Sequence, residues 1–271
     1  MTTTVRGVAE VLSRCRDEGR AALVGYLPVG FPTVDGSLEA MRVLVEAGCD
    51  VVEVGIPYSD PVIDGPVNQE AMTAALAAGV TVDDALRAVE AVRNAGGTPV
   101  VMTYWNLVLR RGVERFAADL AAAGGAGLIT PDLIPDEADD WVAASDRHGL
   151  DRIFLVAPSS TPERLQLVTS ACRGFVYAAS TMGVTGARTS VDADARGLVE
   201  RVRGVTDLPV CVGLGVSTGA QAAELAEYVD GVIVGSALVR TLAGDRPLTE
   251  RLEHLRLLTS ELAAGVREGH R

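Results

Sequence analysis

The chain alternates between short apolar runs and longer amphipathic stretches along most of its length. The runs are rich in Val, Ile and Leu, which is typical of strands buried on both faces of a parallel sheet. They lie at residues 22–27, 51–54, 99–102, 127–130, 152–156, 174–178, 209–212 and 231–234. We therefore predict eight strands.

The stretches between these runs carry apolar residues at three- and four-residue spacing, which predicts helices. They cover residues 37–47, 82–95, 112–123, 136–148, 162–170, 193–203 and 219–228, with a last helix from about 249 to 266. Eight strand–helix units predict an α/β fold, a (β/α)8 TIM barrel with extra terminal and loop helices. An open doubly wound sheet is the alternative, but the count and the even spacing disfavour it.

The composition limits the domain count and the nature of the core. The chain has 271 residues and no linker or low-complexity segment, so we expect a single barrel domain spanning residues 1–271. Apolar residues make up 48% of the chain but aromatic residues only 4%. The core must therefore be built mainly from aliphatic side chains.

The charge and the residue types exclude several classes of function. A net charge of −12 argues against nucleic acid and against an anionic membrane as partners. The sequence contains no Lys, which rules out a Schiff-base lysine and a P-loop lysine.

The cysteines, the histidines and the hydropathy bear on location and metals. The four cysteines lack C-x-x-C spacing and predict reduced thiols, and the N-terminus has no signal-peptide pattern, so we expect a cytoplasmic protein. No apolar run approaches the ~20 residues needed to span a bilayer. The three histidines, at 148, 254 and 270, are too far apart for a local metal motif, and we expect no metal site.

An acidic segment follows the second strand. Glu53 interrupts the apolar run itself, and Asp60 and Asp64 lie in the proline-rich segment after it, in which we predict a loop over residues 60–67. A carboxylate inside an apolar strand is costly to bury unless it is protonated or paired, so we expect a raised pKa for Glu53. Two carboxylates in different settings can divide acid and base roles at the carboxyl end of a barrel. The alternative is that Glu53 faces solvent on an edge strand and the aspartates cap turns.

Glycine-containing segments follow each of the last three strands. They are STMGVTGARTS at 180–190, VGLGVS at 212–217 and IVGSALV at 233–239. Glycine lets the backbone approach an anion closely, and the loops after strands seven and eight commonly bind phosphate in this barrel. We therefore expect a substrate with a phosphate at one end and acid–base chemistry at the other.

These segments together resemble the tryptophan synthase alpha chain family along nearly the whole chain. The motifs that carry the resemblance are YLPVGFP at 26–32, VEVGIPYSDPVIDGP at 52–66, TYWN at 103–106, PDLIPDE at 131–137 and the three glycine segments. The resemblance implies retro-aldol cleavage of indole-3-glycerol phosphate to indole and glyceraldehyde 3-phosphate. It also implies roles for three residues. Glu53 protonates indole C3 and takes part in proton transfer at the glycerol chain, Asp64 contacts the indole N–H, and Tyr177 lies near the reacting carbon.

The resemblance further implies which residues bind substrate. It places Gly186, Gly215, Gly235 and Ser236 at the phosphate, and Thr185 in a loop that closes over the substrate. The indole ring needs an apolar slot, for which strand ends offer a set of candidates that could equally be ordinary core. These candidates are Tyr26, Met102, Ile129, Phe154 and Leu214.

In the family, indole passes to a beta subunit that holds pyridoxal phosphate, in an alpha2beta2 heterotetramer. The resemblance therefore implies that this chain needs no cofactor of its own. The positions matching the partner interface are Asp60, Pro61, Asn106 and Pro135.

Two residues depart from the family pattern, and other functions stay open. Asn68 stands where an apolar residue is usual and Ile63 where a small one is usual, and we expect neither to touch the acids. The alternatives are a stand-alone lyase that releases free indole, another phosphate-binding barrel of the same pathway, and a non-catalytic barrel that only activates a beta subunit. The absence of Lys disfavours the second of these.

Overall fold

Eight parallel strands close into a barrel in a computed structural model that describes residues 7–179, 192–213 and 215–269. The strands follow one another in chain order, and the eighth pairs with the first. They are β1 (Ala22–Pro28), β2 (Val51–Gly55), β3 (Thr98–Met102), β4 (Gly127–Thr130), β5 (Asp151–Val156), β6 (Val176–Ala179), β7 (Val210–Gly213) and β8 (Gly231–Val234). The predicted TIM barrel is confirmed, and each strand lies within two residues of its predicted bounds.

Helices surround the barrel. In the described part of the chain they are α1 (Val8–Asp17), α2 (Val34–Glu46), α3 (Pro66–Ala77), α4 (Val82–Asn94), α5 (Trp105–Arg111), α6 (Val113–Ala123), α7 (Asp139–His148), α8 (Pro162–Ala171), α9 (Asp192–Arg203), α10 (Gly219–Ala226), α11 (Ser236–Thr241) and α12 (Leu248–Glu268). Four begin after a threonine whose hydroxyl accepts a backbone N–H and so satisfies one donor of the first turn. These caps are Thr33, Thr81, Thr161 and Thr218.

Three differences from the sequence prediction have local causes. Helix α3 begins at Pro66, inside the stretch 60–67 predicted as loop, because proline is well suited to the first helical position. The predicted helix 136–148 is divided into a 3-10 turn at Pro135–Glu137 and helix α7. Strand β6 starts after Gly174, whose φ of 96° belongs to a turn. The bounds of α1, α3, α5 and α11 were not predicted.

Buried ion pairs and hydrogen bonds tie together the amino ends of the strands. The backbone N–H of Val8 donates to Asp151 at 2.8 Å, which holds α1 against the start of β5. The guanidinium of Arg20 binds both carboxylate oxygens of Asp50 at 2.8 Å, just before β2. These contacts stabilise the amino ends of the strands, and the carboxyl ends remain available for a site.

The core is aliphatic, as the composition predicts. Its buried members are mostly Val, Leu, Ile and Ala, with a few large rings such as Trp141, Phe116 and Phe175. Within the described ranges, no helix has both the length and the apolar character that crossing a membrane requires.

Candidate active site

One cavity of about 780 Å³ opens among the carboxyl ends of the strands. Its wall contains eight of the residues that the sequence singled out for catalysis or substrate binding. They are Tyr26, Glu53, Asp64, Met102, Tyr177, Gly215, Gly235 and Ser236. The acidic segment after β2 and the glycine segments of β7 and β8 therefore line the same space, on a scale that suits a small-molecule substrate.

Glu53 is the third residue of β2 and is only 1% exposed to solvent. Burial raises its pKa to about 8, and the nearby charge of Asp64 adds to the shift. Its Oε2 atom is buried without a hydrogen-bond partner among the described residues. A carboxyl group with this pKa is protonated at neutral pH and can act as a general acid. The edge-strand alternative for Glu53 is wrong, because a closed barrel has no edge.

Asp64 lies in the loop between β2 and α3 and is buried. Its Oδ2 accepts a hydrogen bond from the hydroxyl of Tyr104 at 3.1 Å, and its Oδ1 accepts one from Nδ2 of Asn68 at 3.3 Å. Burial raises the pKa of Asp64, while the two hydrogen bonds favour the charged form and oppose that rise. Asp64 thus combines a buried position with two donors that stabilise a carboxylate.

Tyr104 organises the loop that carries Asp64, and sequence reasoning missed it. Its hydroxyl oxygen accepts the backbone N–H groups of Val62 at 2.7 Å and Ile63 at 3.2 Å while its proton goes to Asp64. Its ring stacks on Tyr58, with centroids 4.7 Å apart and an interplanar angle of 23°. The only signal in the sequence was the TYWN motif, which gives no hint that the loop folds onto this ring.

Two more tyrosines line the cavity. Tyr26 and Tyr177 are buried so deeply, next to carboxylates, that their pKa values lie well above the ordinary range. Both hydroxyls are therefore neutral and able to donate. Each ring lies against a glycine on the next strand: a Cβ at Gly55 would come within 2.5 Å of Tyr26, and one at Gly213 within 2.8 Å of Tyr177. Neither position leaves room for a side chain.

The part of the cavity wall that follows β7 and β8 consists of backbone and small polar groups. Gly215 has a φ of 68°, a left-handed conformation that disfavours other residues. Gly235 precedes α11, and Ser236 is its first residue. None of the described residues that line the cavity is basic. An anion held here must rely on N–H groups, a hydroxyl and residues outside the described ranges.

The described residues contain no group of three or more His, Cys, Asp or Glu placed to hold a metal ion. The described cavity wall offers carboxyl groups, tyrosine hydroxyls and backbone amides for acid–base chemistry.

Comparison with known proteins identifies the family. The family model for the tryptophan synthase alpha chain matches residues 12–267. The tryptophan synthase alpha chain of Mycobacterium marinum is 66% identical over 254 residues, which cover 94% of this chain and 92% of that relative. The chain belongs to the tryptophan synthase alpha chain family.

Solved structures agree. A structure of Mycobacterium tuberculosis tryptophan synthase is 63% identical with a TM-score of 0.90, covering 96% of this chain and 98% of that chain. The tryptophan synthase complex of Pyrococcus furiosus is 31% identical with a TM-score of 0.83, covering 91% of this chain and 99% of that chain. As a member of the tryptophan synthase alpha chain family, the protein is a lyase of tryptophan biosynthesis that cleaves indole-3-glycerol phosphate.

One of the two residues that depart from the tryptophan synthase alpha chain pattern makes an unexpected contact. Asn68 was expected not to touch the acids, but its amide donates directly to Asp64. The expectation failed because Asn68 lies in the first turn of α3, which begins two residues after Asp64, so that the Asn68 amide reaches back to the carboxylate. Ile63 instead is 45% exposed.

The apolar slot differs in part from the prediction. Met102 and Tyr26 line the cavity, but Ile129 and Phe154 are buried in the core and do not. Phe154 alternates with Leu155, which does line the cavity, and so faces the opposite side of β5. Leu155 and Ile233 are lining residues that sequence reasoning missed, because an apolar run that is buried on both faces does not show which of its residues face the cavity.

Three predicted substrate contacts, Thr185, Gly186 and Leu214, lie outside the described residues. The predicted interface positions follow β2, β3 and β4 in the chain, on the face where the cavity opens, with Asn106 in the first turn of α5. Asp60 and Asn106 are exposed and Pro61 and Pro135 half-buried. Large apolar side chains are exposed in the same loops, with Val62 81% and Ile134 41% accessible.

Proposed function

We propose that Glu53 and Asp64 carry out the cleavage of indole-3-glycerol phosphate, with Tyr177 beside the reacting carbon. The observation that carries the proposal is the cavity itself, which joins a protonated, buried Glu53 to a glycine-lined end that suits a phosphate. The phosphate then lies against Gly215, Gly235 and Ser236. The indole ring packs on Tyr26 and Met102.

The reaction begins with a proton on Glu53. Glu53 transfers it to C3 of the indole ring, and the ring becomes a cation whose N–H is hydrogen-bonded to Asp64. The ionised Asp64 stabilises this charge, which exists only after protonation, so the interaction favours the transition state over the ground state. A neutral group at this position would lack that effect.

Glu53, now a carboxylate, takes the proton from the hydroxyl on the carbon attached to C3. The C–C bond breaks, its electron pair returns to the ring, and the hydroxyl carbon becomes the aldehyde of glyceraldehyde 3-phosphate. Glu53 ends the cycle protonated, as it began. One carboxyl group with a pKa near 8 suits both steps, because it can lose and regain a proton close to neutral pH.

We further propose that indole passes to a beta subunit in an alpha2beta2 complex. Exposed Val62 and Ile134 beside the predicted interface residues Asp60, Pro61, Asn106 and Pro135 support a covered surface at the cavity mouth. Pyridoxal phosphate would belong to that partner, since a chain without Lys cannot hold it as a Schiff base. The four buried cysteines, none of which is in a disulfide, fit a reducing compartment, and we place the protein in the cytoplasm.

The test is indole release from indole-3-glycerol phosphate by the purified chain, alone and with a tryptophan synthase beta subunit. We expect slow release that rises steeply with the partner, and loss of turnover in both Glu53→Gln and Asp64→Asn without loss of the fold. Fast release that the partner does not change would indicate a stand-alone lyase. Near-normal turnover in either variant would remove that residue from the mechanism.

A further inference from the structure

Asp64 is held at both of its oxygens by neutral donors. Tyr104 occupies Oδ2 and Asn68 occupies Oδ1, so each oxygen has one side-chain partner. The backbone of Asp64 is fixed as well, because Gln69 donates to its carbonyl oxygen at 2.7 Å. A group this constrained can meet a substrate with little reorganisation.

We propose that Asn68 is a positioning residue, which orients the Asp64 carboxylate toward the ring N–H of the substrate. The proposal rests on the proposed role of Asp64 in cleavage. Asn68 lines the cavity itself and comes from the first turn of α3, while Tyr104 approaches from the loop after β3. The two donors therefore hold the carboxylate from different elements.

Burying the amide of Asn68 costs stability, and packing offers no compensation for it. Its Oδ1 is buried without a hydrogen-bond partner among the described residues, which is unfavourable for a polar atom. An aliphatic side chain there would avoid that cost but would leave Oδ1 of Asp64 without its donor. The separation of 3.3 Å is at the long end for an N–H···O bond, as often found before substrate tightens a site.

The surroundings of Asp64 make a neutral donor matter. The titratable groups that face it are Glu53 on β2, Tyr26 on β1, Tyr177 on β6 and Tyr104 after β3. None of them carries a positive charge, and the described cavity wall has no basic residue. Stabilisation of the carboxylate therefore comes from hydrogen bonds, and loss of one raises the pKa of Asp64 further.

The test compares Asn68→Leu with Asn94→Leu, a matched loss of an amide at an exposed position near the end of α4. The chain is assayed with its beta subunit across pH, following kcat and KM for indole-3-glycerol phosphate. We expect Asn68→Leu to lower kcat about tenfold, the effect of one hydrogen bond to a charged group, with a smaller change in KM. The acidic limb of the kcat–pH profile of Asn68→Leu should move to higher pH, because turnover requires an ionised Asp64 and the variant raises the pKa of that group. The profile of Asn94→Leu should match that of the wild type.

A second variant and a second readout keep the result interpretable. Asn68→Asp places a carboxyl group beside Asp64 and should move the acidic limb further than Asn68→Leu does. Titration of the Asp64 carboxyl carbon by 13C NMR in the free chain reports the same shift without turnover. Asn68→Ser, which is too short to reach Asp64, replaces the Leu variant if that one fails to fold.

Two outcomes overturn the proposal. One is a pH profile and an Asp64 titration in Asn68→Leu that coincide with the wild type. The other is a uniform fall of kcat at every pH with an unmoved titration, which would make the role of Asn68 structural. Failure of the proposed function is separate: there Asp64→Asn retains turnover, whatever the titration shows.

Discussion

The charge of Asp64 raises the pKa of Glu53, adding to the effect of burial, and the two carboxyl groups share one cavity. The residue that stabilises the ring cation in our mechanism therefore also helps keep the proton donor protonated. This coupling links the two halves of the acidic segment, which lie eleven residues apart in the sequence.

Asp64→Asn should lower the pKa of Glu53 from its value of about 8, because the neighbouring negative charge is removed while burial remains. Titration of the Glu53 carboxyl carbon by 13C NMR measures this directly, even in a variant without turnover. Asp60→Asn is the matched control, since Asp60 is an exposed carboxylate in the same loop that does not line the cavity. An unchanged Glu53 titration in Asp64→Asn would contradict the coupling.

Glu53→Gln should abolish cleavage but stabilise the fold at alkaline pH. The folded state raises the pKa of Glu53 from 4.5 to about 8, so it binds this proton more tightly than the unfolded chain does. Between these two values the wild type loses stability as pH rises, because folding then requires an ionised, buried Glu53 or a bound proton. Gln cannot ionise and escapes the penalty, which is on the order of a few kcal/mol.

Thermal unfolding at pH 5 and pH 9 measures this difference. The Tm of Glu53→Gln should be close to that of the wild type at the lower pH and clearly above it at the higher. Equal Tm values at pH 9 would mean that Glu53 ionises in the folded protein at little cost. A gap of this kind is expected where a site gives up stability for function.

The fold and the acid pair were predictable because they depend on local patterns. Eight aliphatic runs with helical stretches between them leave little choice but a barrel, and a Glu inside one run indicates a functional residue. The glycine segments likewise follow from chain position, since the loops after β7 and β8 reach the same end of the barrel as the loop after β2.

The contacts around Asp64 were not predictable in the same way. Tyr104 and Asn68 meet this carboxylate only because the loop after β2 folds back and α3 begins at Pro66, inside the predicted loop. Phe154 was misplaced for a different reason: an apolar run buried on both faces does not reveal which residues point inward. In the structure, Leu155 pairs with Tyr177 on the neighbouring strand. This register shows that Leu155, and not Phe154, faces the cavity.

Ser236→Ala should weaken substrate binding through the phosphate and leave the chemical step nearly intact. The described wall has no basic residue, so a hydroxyl donor accounts for a sizeable share of the contact with an anion. We expect KM for indole-3-glycerol phosphate to rise roughly tenfold with kcat little changed. The control is Ser170→Ala, which changes an exposed serine on α8 and should leave both constants unchanged. A fall in kcat with constant KM would place Ser236 at the reacting end instead.

Ile134→Asp should reduce stimulation by the beta subunit without affecting basal cleavage. Ile134 is 41% exposed in the loop after β4, next to Pro135, and it does not line the cavity. A carboxylate introduced into an apolar contact loses its water and finds no partner. We therefore expect the Kd for the partner to rise about tenfold or more. Titrating the beta subunit against indole release gives this Kd and the basal rate together.

Leu257→Asp is the matched control for that experiment. Leu257 is 60% exposed on α12, in the outer ring of helices. Leu257→Asp therefore introduces the same charge at an exposed apolar position away from the cavity mouth. If both variants keep normal stimulation, the exposed apolar groups after β4 lie outside the interface. If both lose it, the effect reflects added charge on an already acidic chain rather than a specific contact. Loss confined to Ile134→Asp would place the partner over the mouth of the cavity, where indole leaves.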